Sequence, residues 1–71
     1  MARHPGTEHL LSLLEYEHLP AHLQEISRPL SQLGHTMAAE LKDGPELTAG
    51  LRKLIEAKDC FVRQRVIDSR T

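Results

Sequence analysis

The sequence predicts an all-α protein, in which a short N-terminal helix precedes an antiparallel hairpin of two long helices that associates into oligomers. Two long stretches carry apolar residues at the three-and-four spacing that lines one side of a helix, and a Pro/Gly turn separates them. The only aromatic residues are Tyr16 and Phe61, so aliphatic side chains must do most of the packing, as in helical bundles. We expect a single domain over residues 1–71, with flexible ends at 1–6 and 68–71.

The predicted N-terminal helix starts near Thr7, whose hydroxyl can accept a hydrogen bond from a backbone N–H one turn later. Glu8 then lies at the positive end of the helix dipole. Leu10, Leu11 and Leu14 suit a helix of two to three turns. Because so short a helix is unstable alone in water, we expect it to pack against the rest of the chain.

The first long helix is predicted to begin at Pro20, since proline suits the first turn of a helix. Its apolar residues repeat in alternating steps of three and four, which is a heptad-like seam: Leu23, Ile26, Leu30, Leu33, Met37 and Leu41. Pro29 lies inside this stretch but off the seam. It either bends one helix near Ile26 or separates two helices that meet at Arg28.

The segment Lys42-Asp43-Gly44-Pro45-Glu46 is the predicted turn of the hairpin. Gly44 is expected to end the preceding helix and Pro45 to begin the next one. So short a connection makes the two long helices antiparallel neighbours. The second helix then carries the apolar residues Leu47, Leu51, Leu54, Ile55, Phe61, Val62 and Val66.

A charged turn interrupts the apolar pattern of this last helix at Lys58 and Asp59, with Arg63 one turn further on. Asp59 and Arg63 are four residues apart, so they can pair along one helix face. One interpretation is a solvated or interface ion pair, which would contribute little to stability. The other is a cationic lining for an anionic ligand at a subunit interface, because Arg and Lys both bind phosphate.

Tyr16 and His18, just before the first long helix, are a second candidate. The tyrosine ring either covers the end of the hairpin or offers a flat surface on which a nucleotide base can stack. Arg28 either faces the same end of the molecule or is an ordinary surface charge. The sequence does not decide between these roles for Tyr16 and Arg28.

Composition argues against several other functions. The formal net charge of −1 provides no general attraction to nucleic acid or anionic membranes, and the apolar runs are too short to span a bilayer. The N-terminal residues lack the apolar core of a signal peptide, so we expect a cytoplasmic protein. The single cysteine, Cys60, excludes an intrachain disulfide and a cysteine-based zinc cage.

Chemistry and metal binding have little support either. His18 and His22 are spaced to chelate a metal on a helix face, but no companion motif accompanies them. The sequence contains no glycine-rich phosphate loop and no arrangement typical of a catalytic triad. We therefore expect no enzyme activity, no metal and no cofactor. Because a chain of 71 residues forms only a marginal core, self-association is the expected source of additional stability.

Two stretches carry a family resemblance. One is the segment Tyr16-Glu17-His18-Leu19-Pro20, followed by a helix with Gln24, and the other is Pro45-Glu46 followed by the helix of residues 51–57, LRKLIEA. Together they resemble the small phage-encoded helical hairpins that act as sponges for immune cyclic nucleotides, the anti-CBASS and Thoeris anti-defence proteins. The resemblance covers about residues 14–66. The chain departs from that family at Lys58-Asp59-Cys60 and in the leucine-rich helix before Tyr16.

The resemblance implies a non-enzymatic protein that forms homo-oligomers, commonly hexamers. It implies binding of cyclic di- or trinucleotides or of cyclic ADP-ribose derivatives at subunit interfaces, in the cytoplasm of the host cell. Tyr16 would stack on a base, and Arg28, Lys58 and Arg63 would hold phosphate. With the neighbouring residues added, the candidate ligand-binding set is Tyr16, His18, Arg28, Lys58, Asp59 and Arg63.

A helical adaptor is the alternative function. Its apolar seam would bind a protein partner, and Lys58 and Asp59 would set the register of that contact, because a buried polar pair can specify pairing.

Overall fold

The computed structural model describes residues 3–70, which form three helices and no strand: α1 (Pro5–Ser12), α2 (Ala21–Glu40) and α3 (Pro45–Asp68). The guanidinium of Arg65, near the end of α3, donates to the carbonyl oxygen of His22 at the start of α2 (3.1 Å). The two long helices are therefore antiparallel, which confirms the predicted hairpin. The molecule measures 44 × 19 × 17 Å.

α1 begins at Pro5, earlier than predicted, and the prediction that Thr7 caps it is wrong. The cap is His4, whose Nδ1 accepts a hydrogen bond from the backbone N–H of Gly6 (3.0 Å). Pro5 then supplies the fixed φ angle that favours the first helical position. Thr7 is a fully buried residue within the first turn.

Two contacts hold the start of the chain against the hairpin. Arg3 Nη1 donates to the carbonyl oxygen of Ala38 (2.7 Å), and the backbone N–H of His4 donates to the Asp43 carboxylate (2.9 Å). These two bonds tie Arg3 and His4 to the hairpin. Flexibility of residues 1–6 and 68–71 stays a prediction. Residues 1, 2 and 71 lie outside the described residues.

α2 passes through Pro29 as one helix, which decides against two helices meeting at that point. It ends at Glu40 because Leu41 is already extended, with φ −110° and ψ 152°. Gly44 therefore does not end α2, as the sequence had suggested, but directly precedes α3. Pro45 begins α3 as predicted.

The buried side of α2 is made of small residues rather than of the leucine seam. We call this side, with the α3 residues beside it, the covered face, because α1 lies on it. Its α2 residues are Ser27, Ser31, Gly34 and Ala38, and the apolar core around it consists of Leu10, Leu11, Leu14, Ala38, Leu47 and Leu51. A Cβ atom at Gly34 would lie 2.5 Å from Leu14 Cδ1 and 3.2 Å from Leu54 Cδ2. Glycine at this position is what allows α1 to approach α2 closely.

The later part of the heptad-like seam is exposed, whereas Leu23, Ile26 and Leu30 are half-buried. Leu33, Met37 and Leu41 are 46%, 38% and 54% exposed, and Phe61 of α3 is 55% exposed. Together with their neighbours they form what we call the open face, a strip of the hairpin that α1 does not cover: Ile26, Leu30, Leu33 and Met37 of α2, Leu41 just after it, and Gly50, Leu54 and Phe61 of α3. Leu54 lies at the edge of this strip, because it also packs against the core beside Gly34.

Candidate functional site

The connection between α1 and α2 faces the middle of α3 across an open pocket of about 490 Å³. Four of the six predicted ligand-binding residues line this pocket: His18, Lys58, Asp59 and Arg63. The remaining lining residues come mainly from the same connection and from α3, and include Leu13, Glu15, Leu19, Val62 and Val66. The tertiary structure thus brings a turn residue and the charged turn of α3 together across about 40 positions of sequence.

Gln24 holds the connection in shape. Its side-chain nitrogen donates to the carbonyl oxygens of Leu19 (2.8 Å) and Glu17 (3.2 Å). The backbone N–H of Leu19 also donates to the carbonyl oxygen of Tyr16 (3.0 Å). Because these bonds close the turn on both sides of His18, Gln24 positions one wall of the pocket. In the sequence, Gln24 stands out only as part of the motif that follows Pro20. Its position in that motif does not indicate that its amide would close this turn.

The charges around the pocket differ from the predicted arrangement. Asp59 pairs with Lys58, with 2.8 Å between Oδ1 and Nζ, and not with Arg63. The pair is asymmetric, since the Lys58 side chain is 16% exposed and the Asp59 side chain 48%. Lys58 lies with its stem against the apolar wall and its ammonium turned outward to the carboxylate, as long cationic side chains commonly do.

Arg63 is therefore the available cation of the pocket. Within residues 3–70 its guanidinium has neither a hydrogen bond nor an ion pair, and the residue is exposed. Arg63 and Lys58 provide two positive charges in the pocket, and Asp59 and Glu15 provide two negative ones. An anion that binds Arg63 and displaces Asp59 from Lys58 would meet two cations at once. Guanidinium and ammonium groups are the side chains best suited to phosphate.

Tyr16 and Arg28 do not line this pocket but contact each other. The guanidinium carbon of Arg28 lies 5.5 Å from the centre of the Tyr16 ring, within the range of a cation–π interaction. Arg28 is thus neither the isolated surface charge nor a residue of the pocket. A contact of this kind at an exposed site is worth about 0.5–1 kcal/mol, so a base of similar stacking strength can displace it.

The histidine pair lacks the geometry expected of a chelate on a helix face. His18 lies in the turn before α2, and only His22 is on the helix. Among residues 3–70, no group of three or more His, Cys, Asp or Glu side chains is placed to hold a metal ion. In the same range, no helix is both long and apolar enough to cross a membrane.

Two residues with nucleophilic side chains, Ser12 and Cys60, lie at or near the pocket. The Ser12 hydroxyl at its edge donates to the carbonyl oxygen of His9. The exposed thiol of Cys60 belongs to α3 but does not line the pocket. The pocket is lined by both apolar and charged residues. Its guanidinium, from Arg63, is available to a ligand, and its ion pair joins Lys58 and Asp59.

Comparison with known proteins gives no relative. A scan against models of protein families matched no family, and searches of curated proteins and of solved structures found no match.

Proposed function

We propose that this chain is a non-enzymatic binding protein that sequesters a cyclic nucleotide signal. The ligand class is that of cyclic di- and trinucleotides or cyclic ADP-ribose derivatives, and the protein acts as a homo-oligomer in the cytoplasm of a phage-infected cell, where it blocks anti-phage signalling. The observation that carries the proposal is the grouping of His18, Lys58, Asp59 and Arg63 around one pocket.

The size and lining of the pocket support a nucleotide as the ligand. Its volume of about 490 Å³ falls in the range of small-molecule sites, which are mostly apolar with a few convergent polar groups. Leu13, Leu19 and Val62 would contact the base or sugar, and Arg63 would bind phosphate. Phosphate binding would also free Lys58 from Asp59, because a doubly contacted anion competes well with one exposed carboxylate.

In the proposed oligomer, the two groups of predicted residues come from different copies. Tyr16 and Arg28 form a stacked pair outside the pocket that contains the other four residues. A ligand bound between two copies would take its pocket from one copy and its stacking pair from the other. Arg28 would then exchange its contact with the ring for one with phosphate, leaving the Tyr16 ring to a base.

The experiment is a calorimetric titration of the purified protein with a panel of cyclic di- and trinucleotides and cyclic ADP-ribose isomers. We expect sub-micromolar binding of at least one of them and recovery of the intact nucleotide after denaturation. Turnover of the nucleotide, or silence across the whole panel, would contradict the proposal.

Matched variants test the named residues. Arg63→Gln should weaken binding roughly tenfold or more, because one charge-assisted phosphate contact is lost. Arg52→Gln is the control, since Arg52 is an exposed cation of the same helix that does not line the pocket. Tyr16→Ala should lose about 1–3 kcal/mol, the range for one stacked base, and Tyr16→Phe should retain most of the affinity. Equal effects of Arg63→Gln and Arg52→Gln would show general charge attraction rather than a site.

A helical adaptor is the second candidate, and the open face favours it. Leu33, Met37 and Leu41 present a nearly continuous apolar surface of the kind that marks interaction sites. An adaptor should tolerate both Tyr16→Ala and Arg63→Gln without loss of partner binding. A pull-down in which both variants retain a stoichiometric protein partner would favour this function over the first.

A further inference from the structure

The open face has the shape of a surface that pairs with itself. Phe61 is the most exposed of the large apolar side chains that the structure describes, at 55%. Gly50, on the same helix, has nothing within 4 Å of the position that a Cβ atom would occupy. It lies in an apolar groove of about 340 Å³ between α2 and α3, bordered by Leu33, Met37 and Leu54. The face thus carries one projecting ring and one recess.

The ring and the recess are aligned along α3. Gly50 and Phe61 are eleven residues apart. Over eleven residues an α-helix makes three full turns plus about 20° and rises by about 16 Å. Both therefore lie on one stripe of the helix. A two-fold axis midway between them, near Leu54 and Ala57, would bring the Phe61 ring of each copy to the Gly50 groove of the other. This is an isologous contact, in which the same two residues meet twice.

The surrounding residues match such a pairing. On α3 the stripe between the two features contains Leu54 and Ala57, while charged residues lie at its ends: Glu46 borders the Gly50 groove and Arg65 borders the groove beside Phe61. Two hairpins paired through these stripes form an antiparallel four-helix bundle, in which such seams pack as knobs into holes.

The surface area agrees. A compact monomer of 8.0 kDa is expected to expose about 4,450 Å², whereas this chain exposes 5021 Å². The excess of roughly 570 Å² is of the same order as the roughly 800 Å² that each partner buries in a standard interface.

We infer that the open face binds a second copy of this chain, with Phe61 of each copy inserted into the Gly50 groove of the other. The partner is a second copy because the projecting ring and the recess both belong to this chain and lie on one stripe of α3. The open face contains none of the six predicted ligand-binding residues, so the inference does not depend on the proposed function.

The test measures molar mass by analytical ultracentrifugation over a concentration series of the full chain, without nucleotide, with helix content checked by circular dichroism. We expect the wild-type chain to associate reversibly. Phe61→Ala should raise the dissociation constant by roughly 30-fold or more, since truncation of a buried aromatic anchor removes one of the largest contributions to an interface. Gly50→Phe should do the same by filling the groove, while the open space around Gly50 leaves the fold intact.

The decisive variant combines both changes. In Gly50→Phe with Phe61→Ala, the ring and the recess exchange places, so the two-fold pairing is complementary again and the dissociation constant should return to within a few-fold of the wild-type value. Ile67→Ala is the control, because Ile67 is 45% exposed but lines neither the open face nor the pocket beside His18.

Three results would overturn the inference: a wild-type chain that stays monomeric, single variants that associate as the wild type does, or a double variant that shows no recovery. Since no nucleotide is present, failure here leaves the proposed ligand untouched. A chain that associates through Phe61 and Gly50 but binds no nucleotide would contradict the proposed function alone.

Discussion

The two sides of α2 differ mainly in side-chain size, and this difference decides which side becomes the core. The covered face presents Ser27, Ser31, Gly34 and Ala38, over which α1 lies closely, while the open face presents Leu30, Leu33 and Met37. Large side chains keep helices apart, and small ones let backbones approach. In this chain the leucines of α1 supply the volume that α2 lacks.

The comparison shows that a regular apolar seam does not have to mark the internal core of a chain. Leu10, Leu11 and Leu14 fill the space above the small residues of α2, so the exposed part of the seam from Leu33 to Leu41 is not needed for the core. This part of the seam stays available for another molecule.

Because Leu14 is buried and Leu33 is exposed, truncating these two leucines should lower the free energy of unfolding by different amounts. Leu14→Ala should lower the free energy of unfolding by about 3 kcal/mol, because Leu14 is completely buried against Gly34 and Leu51 and its removal leaves a cavity. Leu33→Ala should lower it by less than about 1 kcal/mol in the dilute monomer, since Leu33 is 46% exposed. Urea titrations at low protein concentration measure both. Equal losses in the free energy of unfolding would show that Leu33, like Leu14, packs in the core of the monomer.

The two helical glycines should respond with opposite signs to the same substitution. Gly50→Ala should raise the free energy of unfolding by about 0.5–1 kcal/mol, because alanine favours the helix and its Cβ meets open space. Gly34→Ala should lower it by about 1–2 kcal/mol, because its Cβ would lie 2.5 Å from Leu14 Cδ1 and the fully buried Leu14 has little room to move. The midpoints of thermal unfolding, measured in parallel, check the signs. A stabilising Gly34→Ala would mean that α1 does not pack closely on α2.

The smallest effect concerns the attachment of α1 to the turn of the hairpin. The hydrogen bond from the backbone N–H of His4 holds the pKa of the Asp43 carboxyl below its ordinary value. A carboxyl whose pKa is lowered by folding stabilises the fold above its unfolded pKa, and this contribution disappears as the pH falls through the lowered value. Acidification below the ordinary Asp range should therefore destabilise the wild type slightly.

Asp43→Asn should remove that part of the acid sensitivity, because the amide cannot titrate. Unfolding midpoints measured from neutral pH down to acid pH compare the two chains, with Glu40→Gln as the control for loss of an exposed carboxylate near the same turn. An Asp43→Asn variant with unchanged acid sensitivity would show that the bond to His4 does not help to hold α1 in place.

Local signals in the sequence were sufficient for the elements of the fold. The three helices, the short turn between α2 and α3 and the antiparallel hairpin follow from apolar spacing and from Pro20 and Pro45. Where local reasoning failed, at Thr7 and Gly44, a neighbouring residue took the expected role: His4 capped α1, and Leu41 ended α2.

The candidate site was predicted in part. The charged turn of α3 was visible as an interruption of an apolar pattern, and it does line a pocket with His18. The choice of Lys58 over Arg63 as the partner of Asp59 was not predictable from spacing, since both residues are within reach along one helix. The sequence left open whether Arg28 faces the same end of the molecule as Tyr16. Their contact depends on how the connection after α1 folds back on α2.

Periodicity, prolines and a short turn act within a few residues of each other, so the sequence indicates three helical segments and an antiparallel pair of long helices. The exact ends of the helices and the covered side of α2 depend on tertiary contacts. The covered side is set by the fit between Leu10 and Leu11 of α1, Leu14 just after it, and the space above Gly34, a long-range packing relation that the pattern along either helix alone does not contain.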